Sequence, residues 1–181
     1  VSFRIGGGEI EGTMQVAENL WNEVYPEYPF EYEFFDDEFD QLIRLRFSDL
    51  HEKAVRCELF EWRKYPQGRL AEIIVLDQFS RNMFRGTARA FSQDPMALIL
   101  SQEAISLAID KLLEPQERGF VYLPLMHSES LVIHETAEAL YRQFGDQSSL
   151  KFELKHKEII QRFGRYPHRN KILGRESTAE E

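Results

Sequence analysis

Residues 70–76 read Leu-Ala-Glu-Ile-Ile-Val-Leu. Apolar side chains at Leu70, Ala71, Ile73, Ile74, Val75 and Leu76 leave almost no polar stripe on a helix spanning Leu70 to Phe84. A helix that is apolar nearly all round has to be covered by other elements, so this one is expected at the centre of a helical domain. Upstream, Phe39, Leu42, Ile43, Phe47, Leu50, Ala54, Cys57 and Phe60 recur at helical spacing, and Pro66-Gln67-Gly68 is expected to close that stripe. Cys57 lies on the stripe and reads as a core residue. Downstream, Asp94-Pro95 gives an N-cap followed by an N1 proline, opening a helix to about Leu113. Glu114-Pro115 reads as a short turn, and Pro124 is expected to interrupt the next apolar stretch. Two further helices, Ser128 to Phe144 and Ser149 to Phe163, are stopped by Gly145 and Gly164.

Residues 1–38 have a different texture. Val1 to Ile5 alternates like a strand, Gly6 to Gly8 breaks it, and Met14, Ala17, Leu20, Trp21 and Val24 recur at helical spacing over 10–25. Phe30, Tyr32 and Phe34 then alternate with glutamates. The fold class expected is mainly α: a helical domain over 39–181 with a small β-α-β-like appendage over 1–38. At the other end, Ser177-Thr178-Ala179-Glu180 fits a capping box, a helix start with no helix after it. An array lacking its next helix would expose apolar surface to a second copy, so a homo-oligomer is left open.

A net charge of −9 argues against general nucleic-acid or anionic-membrane binding, while 43% hydrophobic residues place that charge on a folded surface. One cysteine permits no intrachain disulfide, which fits a reducing cytoplasm. No apolar run approaches the roughly 20 residues that span a bilayer.

LDQFSRNMFRGTARAF (76–91), LPLMHSES (123–130) and RFGRYPHRNKILGREST (162–178) together form a specific set. They resemble the bacterial family known as domain of unknown function 924, over residues 34–181. The resemblance implies an all-α, tetratricopeptide-like fold and no settled activity. VSFRI and ENLWNEVYPEYPFEYEFFDDEFD are instead similar to the extracytoplasmic domain of FtsX-like ABC permeases of the macrolide-exporter type. Both patterns share a stretch like FFDDEFD (34–40), which suggests a chimera joined there. Transport does not carry over, because GGG lacks the GK[ST] ending of a phosphate loop.

Two polar clusters stand out against this apolar scaffold. Asp77, Gln78, Arg81, Asn82 and Arg85 occupy adjoining stripes of one helix face. Asp77 and Arg81 make an i, i+4 pair that either locks the helix end or belongs to a forked clamp for a carboxylate or phosphate. Arg162, Arg165, Arg169, Lys171 and Arg175 follow one another with no acid between them, and Gly164, Pro167 and Gly174 shape their loop. Such a segment suits an anion pocket. It equally suits an internal tether to Asp77, Glu103 or Glu129.

His127, Glu129, His134, His156 and His168 are the residues that could serve as metal ligands. His134-Glu135 lacks the second histidine of HExxH, and no metal or other cofactor is expected. Histidines beside carboxylates more often make hydrogen bonds inside a protein. Ser128 has no GxSxG around it, so it is no nucleophile elbow.

Three readings follow. In the leading one the chain binds an anionic small molecule or peptide carboxylate through Asp77, Arg81, Asn82, Arg85, Arg165, His168, Arg169 and Arg175. In the second it is an enzyme, with His127 or His168 as acid–base group, Glu129 or Asp77 orienting it, and arginines holding an anionic substrate. In the third the polar residues form one internal network. The way the 77–85 and 165–175 clusters face each other separates the three.

Overall fold

The computed structural model describes residues 8–15, 37–145 and 147–181, and every regular element among them is helical. The strands expected over 1–5 and 30–34 lie outside the described residues, as does 16–25 of the first expected helix. Residues 8–15 are helical, and Ile10 and Met14 pack against the main core.

Helix α1 (Asp37–Val55) buries Asp40, Ile43, Phe47, Leu50, His51 and Ala54, the 3–4 spacing of a single apolar face. It ends eleven residues before Pro66. Glu58 N–H donates to Lys53 O and Cys57 N–H to Ala54 O, each at 2.9 Å, with Cys57 left-handed at φ 60°. These paired bonds are a Schellman stop. The stop turns Cys57 out of the helix face, so the thiol is exposed rather than in the core.

Pro66 then begins a helix instead of closing one. Helix α2 runs over Pro66–Ile74, passes through a π-helical turn at Val75–Phe79 and resumes over Ser80–Met83. Leu70, Ala71, Ile73, Ile74, Val75, Leu76 and Phe79 are all buried, so the central rod is where its composition placed it. Gly68 is required at its start: a Cβ there would lie 2.2 Å from Trp62 O.

Helix α3 (Asp94–Ser106) stops earlier than expected, because Ala108 turns left-handed at φ 55°. Glu114-Pro115 opens helix α4 (Pro115–Met126) rather than a turn, through a capping box with Glu117. Pro124 sits inside the last turn of α4 without breaking it. Helices α5 (Leu131–Phe144) and α6 (Gln147–Phe163) follow, and each packs on its predecessor. Gly164, at φ 67°, then reverses the chain. The remaining segment, with a short 3-10 turn at Pro167–Arg169, returns to the C-terminal end of α4. No helix among the described residues is long and apolar enough to cross a membrane.

Candidate functional site

The π turn of α2 delivers the first group. Asp77 is 1% exposed, and its carboxylate receives three donors. Arg81 Nη1 and His127 Nδ1 reach Oδ1 at 2.9 and 2.8 Å, and the Gln78 amide reaches Oδ2. Arg81 Nη1 also donates to Asp77 O at 2.9 Å. Single π turns recur at functional sites, and this one sets a buried carboxylate facing another helix.

Burial alone would raise the Asp77 carboxyl, but the Arg81 charge and the hydrogen bonds from His127 and Gln78 overcome it and hold the group well below the ordinary carboxylate range. His127 follows the opposite course. Burial and the Arg81 charge lower its imidazole below the usual value, despite the attraction of Asp77. The ring is therefore neutral at neutral pH. Its Nδ1 carries the proton donated to Asp77, and Nε2 keeps a lone pair. Nε2 makes no hydrogen bond to any described residue, and the side chain remains 16% exposed.

The second group comes from the C-terminal segment. Arg169, 6% exposed, donates from Nη1 to Asp94 Oδ2 and from Nη2 to His127 O, both at 3.1 Å. Its guanidinium lies 4.5 Å from the Phe91 ring centroid and 4.7 Å from that of Tyr166. Arg81 Nη2 donates to the same Asp94 oxygen at 3.1 Å. Asp94 thus joins the two basic motifs, a role its reading as an N-cap did not suggest. Arg169 Nε is buried without an acceptor. Burial and the neighbouring Arg81 charge lower the proton affinity of this guanidinium.

The other candidates are distributed around this centre. Asn82 and Arg85 turn to Asp40 on α1, with Asn82 Nδ2 at 2.8 Å from Oδ1 and Arg85 Nε at 2.6 Å from Oδ2. Arg175 makes a two-pronged bond to Glu129, at 2.6 and 2.9 Å, and Glu129 Oε1 also accepts from Tyr166 N–H at 2.7 Å. Arg165 pairs with Glu181 at 2.6 and 2.7 Å, away from Asp94. His168 is exposed and stacks beside Tyr166, with ring centroids 5.5 Å apart. His156 Nδ1 donates to Phe152 O at 2.9 Å. Among the described residues no three His, Cys, Asp or Glu side chains are gathered as a metal would need.

The two clusters therefore meet through Asp94 and His127, and most of their charges are matched internally. What remains is a carboxylate–imidazole pair with one ring nitrogen unbonded among the described residues, flanked by two arginines that share an acid. Sequence reasoning missed Asp94, Phe91 and Tyr166 at the centre. Asp94 and Arg169 lie 75 residues apart, and no local pattern relates them.

No functionally curated protein matches the chain. A solved structure described as a protein of unknown function, ATU0120, from Agrobacterium tumefaciens is 34% identical. It aligns over 97% of this chain and 95% of its own, with a TM-score of 0.86. A family model matches from residue 18, ahead of the junction suggested at 34–40. The chimera reading and the FtsX-like resemblance have no support. With the match running over residues 18–181, the chain belongs to the family of bacterial proteins of unknown function designated DUF924.

Proposed function

We propose that the protein is an acid–base enzyme acting on a small anionic substrate beside Asp77 and His127. One observation carries this: His127 Nδ1 is tied to a buried, ionised carboxylate at 2.8 Å while Nε2 has no partner among the described residues. An aspartate that fixes Nδ1–H holds one tautomer and steadies the imidazolium formed when Nε2 accepts a proton. Arg81 and Arg169 supply the anion preference, with a substrate carboxylate or phosphate competing with Asp94 for them. Binding without chemistry has less behind it, because Arg85, Arg165 and Arg175 are each occupied by an internal carboxylate.

The tetratricopeptide-like array belongs to this reading, supported by the successive packing of α4, α5 and α6 across short connections. So does a cytoplasmic setting, which rests on the exposed free thiol of Cys57.

Proton NMR of the histidines, titrated with inorganic phosphate, sulfate and acetate, tests the site. Phosphate should shift the His127 ring signals and raise the pH at which they titrate, and p-nitrophenyl phosphate or acetate should turn over. His127→Gln should stay folded and lose both responses. A His127 signal indifferent to all three anions, with no turnover of either ester, refutes the reading.

A further inference from the structure

Met126, His127 and Ser128 close α4, where the last carbonyls of a helix lack intrahelical donors. Each receives a side-chain donor instead. Tyr166 Oη–H reaches Met126 O at 2.5 Å, Arg169 Nη2–H reaches His127 O at 3.1 Å, and His134 Nε2–H reaches Ser128 O at 2.8 Å. Three consecutive carbonyls are thus pinned around the one residue whose ring faces Asp77.

His134 differs from the other two clamps because it is wholly buried and its second ring nitrogen faces a buried carboxylate. Its Nδ1 lies 2.8 Å from Glu153 Oε1, and Glu153 is equally buried, with Oε2 lacking a partner among the described residues. A carbonyl only accepts, so Nε2 must carry a proton. A second proton lies between Nδ1 and Oε1, whichever atom holds it. The pair therefore has two protons and no net charge. Losing either proton breaks one of the two bonds and leaves a buried negative charge.

The groups facing the pair leave that inventory intact. Tyr166 Oη stands 3.2 Å from Nε2, but its proton is committed to Met126 O. His156 packs on the Tyr166 ring at 5.6 Å. Lys157 and Glu138 form an ion pair of their own at 2.7 Å and act on Glu153 in opposite senses. Burial pushes the Glu153 carboxyl up, which favours retention of the proton.

We propose that the His134–Glu153 pair is the positioning element of the candidate site. By holding a proton on Nε2 against Ser128 O, it fixes the corner from which His127 reaches Asp77. The inference rests on the reading of His127 as the acid–base group, yet it concerns geometry that can be measured without a substrate.

The full-length chain provides the test, with the downfield His127 Nδ1–H resonance as readout. His134→Phe keeps the ring volume and loses the donor, so the folded variant should lose that resonance, and His127 should titrate nearer to an unperturbed imidazole. Glu153→Gln offers an amide N–H to Nδ1, keeps Nε2 protonated and should retain the resonance. Wild type should lose it reversibly at alkaline pH, and Glu153→Gln should hold it to higher pH. Should His134→Phe not fold, that pH comparison decides.

An unchanged resonance in folded His134→Phe, or identical alkaline behaviour in wild type and Glu153→Gln, overturns the proposal. Inorganic phosphate separates this failure from the other. A wild-type ring blind to phosphate but still lost in His134→Phe removes the enzyme reading and leaves the positioning role. A ring that responds to phosphate equally in both variants does the reverse.

Discussion

Asp77 Oδ1 and His127 Nδ1 stand 2.8 Å apart although 50 residues separate them in sequence. The contact joins the π turn of α2 to the last residue before the chain leaves α4.

Asp77→Asn keeps the shape but removes the charge that balances Arg81. It should destabilise the fold by about 3 kcal/mol, the low end for breaking a buried pair, because Asp94 still accepts from Arg81. His127 should titrate at still lower pH in this variant. Urea denaturation and histidine NMR check the two parts separately.

Glu129 and Arg175 form one ion pair, yet their replacement should be unequal. Arg175→Ala removes a half-exposed partner and should cost no more than about 1 kcal/mol. Glu129→Ala also strands the Tyr166 N–H, so a loss of about 2 kcal/mol is expected from chemical denaturation.

Acid should destabilise the protein from about pH 6.5 downward, near the unfolded histidine value. Burial lowers His51 and His127 and takes His156 down to about 3. Each of these binds protons more tightly when unfolded, so stability is present above the unfolded value and falls with pH, by up to ~1.4 kcal/mol per pH unit for a buried ring. Asp77 adds to the loss below about pH 4, its folded value being depressed. Glu153 works the other way, since its raised value favours the fold at lower pH. Three histidines against one carboxyl should give a net fall in Tm between pH 7 and 5, measurable by calorimetry.

Cys57→Gly should stabilise. The residue is left-handed at φ 60° and its side chain is exposed, so glycine relieves backbone strain while losing little packing. A gain of roughly 0.5–1 kcal/mol is expected, seen as a higher Tm with unchanged helicity. A lower Tm would mean that the Cys57–Met96 sulfur contact at 3.9 Å outweighs the strain.

Local chemistry made much of the architecture legible. The 3–4 spacing of Ile43, Phe47, Leu50 and Ala54 requires an amphipathic helix, the unbroken apolar surface of 70–76 requires a central one, and Gly145 and Gly164 end helices by their lack of a side chain. Errors came where one residue type serves two opposite local roles. Proline closes a helix or opens it at N1, and Pro66 and Pro115 do the latter. A cysteine in apolar register belongs to the core only if the helix continues, and at Cys57 it does not.

By itself, then, the sequence determined a helical domain, its central rod and the two basic motifs that would have to be neutralised. Which acid neutralises which arginine was decided only in three dimensions. Arg81 and Arg169 share Asp94, Arg85 takes Asp40, and Arg175 takes Glu129. The physical reason is that helix periodicity is written in neighbours three and four residues apart, whereas charge pairing depends on which helix ends the packed core brings within about 3 Å of each other. The placement of His127 is a product of that packing, since Asp77 holds its ring, Arg169 its carbonyl and the buried His134 the carbonyl of the next residue, each from a separate part of the chain.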